Sequence, residues 1–210
     1  MSSAMKIVRY GDALVQPWKN GQGQSRRIAA APAGYDGYGD ALLWHVSIPE
    51  IARSTTFSAL PGLDRQWLLL SGDGVELHSR APKLGIDVRR RLTEPLDALA
   101  FSGDWETECT LLGQPTLGLS VITRHGKIGA TLRIVELSGS MSTLPIEKPA
   151  SSHSVVVLAE GRAKVMAEGG QFSLAPLDSI VGSSTGAATY VLSRDGFART
   201  RAVVVLIDTL

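Results

Sequence analysis

The chain has 210 residues, enough for one large domain or two small ones at about 150 residues per domain. With 44% hydrophobic and 20% charged residues it is far from the compositions of disordered chains. Lys and Arg number 21 against 20 Asp and Glu, a net +1, so no global field draws the protein to nucleic acid or an anionic membrane. The single cysteine, Cys109, excludes an intramolecular disulfide and fits a reducing compartment. The longest apolar runs, such as 202–207, are strand-sized, so no membrane-spanning helix is expected. The opening MSSAMKIVRYGD has neither an apolar h-region nor a small-residue cleavage site, which makes the cytoplasm the expected location.

In chain order, residues 42–48, 66–70, 154–158, 188–192 and 202–207 are short apolar or alternating runs rich in β-branched or aromatic side chains, and each reads as a strand. Ser71-Gly72-Asp73-Gly74, Glu160-Gly161, Glu168-Gly169-Gly170 and Arg194-Asp195-Gly196 supply the chemistry of tight turns. Only short helical windows survive, and 22 Gly and 10 Pro are spread along the chain, so an all-β sandwich or barrel is predicted.

The two halves echo each other. Ser58-Ala59-Leu60-Pro61 matches Ser142-Thr143-Leu144-Pro145; 68–74 resembles 155–161, aligning Gly74 with Gly161; and Pro95-Leu96-Asp97-Ala98-Leu99 matches Pro176-Leu177-Asp178-Ser179-Ile180. The order is kept at offsets of 84, 87 and 81 residues. A glycine-containing hairpin followed by a Pro-Leu-Asp turn into an apolar strand resembles the double-stranded β-helix of cupins. The expectation is therefore two cupin-type barrels of RmlC-like jelly-roll type, a bicupin, with barrels at roughly 40–112 and 130–210. The domains become 1–126, an N-terminal segment plus the first barrel, and 127–210, the second.

Trp18-Lys19-Asn20-Gly21-Gln22-Gly23-Gln24-Ser25-Arg26-Arg27-Ile28-Ala29 resembles the Trp-Lys-Asn-Gly signature that opens the HutD/Ves family. Segments 44–48, 56–65, 69–74, 101–104 and 123–126 follow in that family's order and spacing. The resemblance implies a cytoplasmic bicupin linked to histidine utilisation, with a regulatory or metabolite-sensing role. Three places depart from the pattern: Gln22 stands for a third glycine, His45 for an arginine, and Gly118-Leu119-Ser120 for an Asp-Phe-Asn-like stretch.

Metal-binding cupins offer His-x-His with a following Glu on one hairpin and another His on the next. His45, His78, His125 and His153 never lie within five residues of one another, so neither metal nor other cofactor is expected. No Gly-x-Ser-x-Gly elbow occurs, Cys109 reads as structural, and no catalytic residue is assigned. Asn20-Gly21-Gln22-Gly23 lacks the third glycine and the strand-to-helix context of a dinucleotide fingerprint. Arg89-Arg90-Arg91 alternates across a strand without interleaved aromatics and reads as edge decoration, not a nucleic-acid site.

What remains is a ligand pocket drawn from Trp18, Lys19, Asn20, Gly21, Arg26, His45, Asp64 and Arg65, with Arg27 nearby. Arginine grips a carboxylate with two parallel hydrogen bonds, lysine adds a point charge, Asn20 donates and accepts, and Trp18 offers a flat wall. The same residues also read as core, turn and solvated edge, with Trp44 and Phe57 as barrel plugs. Binding of a small anionic metabolite is the expected function, with Lys19 and Arg65 as anchors. One rival is a metal-independent cupin enzyme acting on a small carboxylate through Asp64 or His45, and another is an interaction protein without a pocket. Neither nucleic acid nor membrane is an expected partner, and a homodimer is a reasonable expectation from the fold alone.

Overall fold

A computed structural model describes residues 5–18, 20–35, 37–138, 143–167, 170–182, 187–196 and 198–210. Among them the strands are β1 (Met5–Val8), β2 (Leu14–Pro17), β3 (Gln24–Ala31), β4 (Trp44–Ile51), β5 (Thr55–Thr56), β6 (Leu63–Ser71), β7 (Val75–Ala81), β8 (Ile86–Leu92), β9 (Ala98–Ser102) and β10 (Glu106–Leu111). They continue with β11 (Thr116–Arg124), β12 (Ile128–Leu137), β13 (Thr143–Lys148), β14 (His153–Glu160), β15 (Ala163–Ala167), β16 (Gly170–Leu174), β17 (Ser179–Gly182), β18 (Ala188–Arg194) and β19 (Thr200–Thr209). Among the described residues the fold is all-β, relieved by one 3-10 turn at Pro82–Leu84. No helix among the described residues is long and apolar enough to cross a membrane. Of the expected turns, Glu168-Gly169 lies outside the described residues.

Two compact units form, one of Leu14–Ile128 and one of Met1–Ala13 with Gly129–Leu210. The sequence division puts all of 1–126 with the first barrel, whereas only the part from Leu14 on lies in that unit. The structure pairs β1 with β17, Met5 opposite Gly182, and the apolar Met5 and Ile7 pack against the core of that unit. Asp178 fixes the junction, accepting hydrogen bonds from Arg9 (2.6 Å) and from the Tyr10 amide (3.0 Å).

In the first unit one sheet runs β2-β3-β4-β11-β6-β9 and the other β5-β10-β7-β8. Strand β11, beyond the barrel limit of 112 read from sequence, lies between β4 and β6. The core between the sheets takes Ile51, Trp67, Leu69 and Phe101 from one and Val75, Leu77, Leu92 and Cys109 from the other. In the second unit the orders are β1-β17-β14-β19-β12 and β13-β18-β15-β16. The eight strands β4 to β11 thus recur as β12 to β19 with identical neighbours, the pairing of a double-stranded β-helix.

The Pro-Leu-Asp turn is the same device in both units. Leu96 (φ 81°) and Leu177 (φ 72°) are the non-glycine residues with positive φ among those described. The Leu96 amide donates to Leu69 O and the Leu69 amide to Asp97 O; Leu177, Leu158 and Asp178 repeat that exchange. The hairpin equivalence differs from the one read in sequence. Gly72 (φ 98°) packs on Thr116 and Gly161 (φ 80°) on Thr200, so Gly72, not Gly74, matches Gly161. The positive φ and a backbone too close to admit a Cβ explain glycine at both places. Pro61 lies in a turn while Pro145 lies within β13 opposite Val191, so that sequence echo joins non-equivalent positions; Ser142 lies outside the described residues.

Candidate functional site

Strand alternation on β6 sends Leu63, Arg65, Trp67 and Leu69 toward the interior of the first unit and Asp64 and Gln66 to the other face. Cross-strand register then assembles rows. Arg65 lies opposite Ile122 on β11 and Phe101 on β9, and Ile122 lies opposite His45 on β4. One step along, Trp67 lies opposite Ser120, and Ser120 opposite Ser47. Beyond these, Ser25 on β3 faces Pro49.

All of these row residues but His45 and Phe101 line a pocket closed by Trp18, Tyr38, Phe57, Ser58 and Leu60. Its total empty space is about 520 Å³ including the open mouth, and centres of water-sized atoms have about 50 Å³ inside. At about 10–15 Å³ per water centre, the inner chamber holds only a few small atoms.

Arg65 dominates the electrostatics. Its guanidinium carbon is 4.7 Å from the Phe57 ring centroid and 5.2 Å from that of Phe101. One guanidinium nitrogen donates to Ser58 O at 3.2 Å, while Nε is buried without a partner among the described residues. No carboxylate among the described residues forms an ion pair with it. Burial lowers its pKa to about 10, opposed by Tyr38 and Cys109, so it stays cationic at neutral pH.

The groups around it are neutral. Burial raises the Tyr38 phenol against the opposing pull of Arg65 and Arg27, and raises Cys109 to about 12 against Arg65. Burial, then the charge of Arg27, holds His45 down at about 4. Trp18 Nε1 donates to Ser25 Oγ at 2.8 Å, and its ring meets Phe57 edge-on at 6.1 Å between centroids. Trp67 Nε1 is buried with no partner among the described residues. The chamber therefore combines one cation, an unsatisfied indole N–H and several hydroxyls, a donor set suited to an anion.

The residues anticipated from sequence divide. Trp18 and Arg65 line the pocket, and His45 lies two strands from Arg65, across Ile122 in the same row, its ring 5.3 Å from that of Tyr38. Lys19 lies outside the described residues. Asn20 is spent on the loop: its Nδ2 donates to Thr56 O at 2.9 Å and its Oδ1 accepts from the Gln22 amide at 3.0 Å. Gly21 (φ 67°) permits that turn, and Gln22 accepts a hydrogen bond from Thr55. Alternation directs Arg26 away from Ser25, and Arg27 donates to Tyr35 O at 2.9 Å. Asp64 faces out and meets His125 Nδ1 at 3.0 Å.

Sequence reasoning missed Ser25, Ser47, Ser58, Ser120, Tyr38 and Trp67, and it assigned Phe57 to the plug although that ring lines the pocket. The available signal was a serine at an inward parity on each of β3, β4 and β11. Among the described residues, no three His, Cys, Asp or Glu side chains are arranged to hold a metal ion. Arg89 and Arg91 lie on edge strand β8 and pair with Glu76, each at 2.8 Å.

The HutD family model matches residues 11–199. The chain belongs to the HutD family. A Pseudomonas putida relative, described as an uncharacterized 21.2 kDa protein in the hutC 3′ region, is 33% identical over 162 residues, 75% of this chain and 80% of that one. A conserved protein of unknown function from Pseudomonas aeruginosa PAO1 superposes with a TM-score of 0.80 at 26% identity, covering 98% of this chain and 100% of the other. HutD from Pseudomonas fluorescens SBW25 superposes with a TM-score of 0.75 at 23% identity, covering 99% and 100%. Bacillus subtilis oxalate decarboxylase shares the fold at 9% identity, with a TM-score of 0.70 and coverage of 100% and 78%. The cupin architecture of this HutD-family chain is thus shown by topology and by superposition.

Proposed function

We propose that the first unit binds a small carboxylate metabolite and serves a regulatory or sensing role in histidine breakdown. One observation carries the reading: Arg65 is a cation in a largely apolar pocket, without a carboxylate partner among the described residues, beside an unsatisfied indole N–H. Burying a charge is costly unless a counter-ion and hydrogen bonds compensate it, and a bound carboxylate supplies both. The chamber has the size of a carboxylate head, and Trp18 and Tyr38 in its lining offer flat surfaces to the remainder of a longer acid. The metabolic assignment draws on the HutD family and on the relative encoded beside hutC; the P. fluorescens HutD structure comes from a formate condition.

The test is calorimetric titration with formate, acetate and the carboxylate intermediates of histidine breakdown, at fixed ionic strength. Saturable binding of one acid, lost in Arg65→Met, is the expected result. If no acid binds, or if Arg65→Met leaves the affinity unchanged, the reading fails.

A further inference from the structure

The second unit carries a polar cluster where the first carries Arg65. Strand β14 takes the place of β6, and the registers correspond: Arg65 lies opposite Phe101 and Ile122, Ser154 opposite Gly182 and Leu206. Ser154 therefore stands in the position of Arg65, and Gly182 in that of Phe101. Cationic charge enters from another strand, through Lys148 at the end of β13, only 2% exposed. Its ammonium donates to Pro149 O at 2.8 Å and Ser152 O at 3.1 Å.

Three side chains converge on Gly182. A Cβ there would lie 3.2 Å from Lys148 Cδ and would overlap both the Tyr190 hydroxyl and Ser154 Oγ. Tyr190 is 2% exposed and Ser154 0%, and neither hydroxyl has a hydrogen-bond partner among the described residues. Around them are Val156, Ile180, Leu192 and Val204 of the second core. Two unsatisfied hydroxyls in an apolar core lose the full value of their hydration unless something accepts from them. Lys148, whose Cδ reaches the same point, carries a positive charge at the end of its chain, and that charge favours an acceptor of negative charge.

We infer that Lys148, Tyr190 and Ser154 form a second anion site inside the second unit, taking a compact monovalent anion of the size of formate or chloride. Lys148 supplies the charge, and the two hydroxyls donate to the anion. Glycine at 182 leaves to the two hydroxyls the space that a Cβ would take.

The experiment uses Arg65→Met, which silences the first pocket. Thermal unfolding is followed against sodium formate and, separately, sodium chloride, with ionic strength held by sodium sulfate. In parallel, the Gly182 amide resonance of the unsubstituted protein is titrated with the same salts. The expected result is a saturable rise in melting temperature with at least one anion, matched by saturable movement of the Gly182 amide. Tyr190→Phe and Ser154→Ala should each weaken that midpoint about tenfold, the scale of a hydrogen bond to an ion. The formate and chloride arms identify which anion the site prefers.

An unmoved Gly182 amide with both salts overturns the inference. So does uniform stabilisation by Tyr190→Phe and Ser154→Ala with and without anion, the behaviour of hydroxyls that are merely unsatisfied or bridged by water. Should Arg65→Met not fold, the amide titration decides alone. Because that signal comes from the second unit, it is independent of whether the Arg65 pocket binds anything.

Discussion

The indole of Trp67 occupies the space into which a side chain at Gly118 would project. A Cβ on Gly118 would overlap Trp67 Cζ2 and come within 2.8 Å of Nε1. Gly118 sits where the register of β11 against β6 shifts, so the glycine and the irregularity together let the ring lie across β11. Gly118→Ala is expected to cost about 1–3 kcal/mol of stability, as overpacking does, and to weaken carboxylate binding by displacing the indole N–H. Denaturant unfolding and calorimetric titration check this, and a variant with both properties unchanged would remove Trp67 from the site.

Arg65→Met should separate function from stability. A thioether chain between Phe57 and Phe101 preserves apolar contact while removing a charge that has no ion-pair partner among the described residues. Carboxylate affinity is expected to fall at least about a hundredfold, and stability without ligand to rise by about 1–4 kcal/mol. A lower urea midpoint for the variant would show that Arg65 is compensated within the protein.

The pH dependence of stability should carry the signature of His45. Its native pKa of about 4 lies below the ordinary 6.5, so between those values the unfolded chain takes up a proton that the native imidazole refuses. Stability conferred by the neutral ring is complete above pH 6.5 and falls as pH drops through that window to about 4, by about 3 kcal/mol in all. His45→Gln should flatten this segment of the curve. An unaltered slope between pH 6.5 and 4 would assign the proton uptake elsewhere.

Asp178 anchors the N-terminal strand to the second unit. Burial pushes its carboxyl up, but hydrogen bonds from the Ala175 amide, Arg9 and the Tyr10 amide outweigh that and hold the pKa below its ordinary 3.8. The stabilisation is present above that value and is lost as pH falls through the lower native one. Arg9→Met is expected to cost about 1–2 kcal/mol and to speed amide exchange in Met5–Val8 before the rest of the sheet. Exchange there at the unsubstituted rate would show that backbone pairing alone holds β1.

Much of the architecture was legible because its causes are local. Residues 42–48, 66–70 and 202–207 alternate or run apolar between turn residues; the last two fall in β6 and β19, and the first overlaps β4 from Trp44 on. Pro95-Leu96-Asp97 and Pro176-Leu177-Asp178 resemble one another because a turn with a left-handed leucine and a carboxylate accepting backbone amides admits few sequences. The hairpin was misaligned by two residues because Gly72 and Gly74 both have positive φ, and only contact with Thr116 distinguishes them.

Membership of the HutD family, the strand-rich composition and the two-part order were all encoded within short windows of this chain. Which of the charged residues forms a site was decided by tertiary structure. Arg65 and Asp64 are adjacent in sequence, yet one enters the pocket and the other pairs with His125 outside, because successive side chains of a strand leave from opposite faces. Ser25, Ser47, Ser120 and Trp67 come from four strands and meet only through registers set by long-range pairing and shifted by irregularities at Arg27/Ala29 and Leu117/Gly118. Whether a buried donor is satisfied depends on every atom around it, so the unpartnered Arg65 Nε and Trp67 Nε1 emerge only when the strands have closed over them.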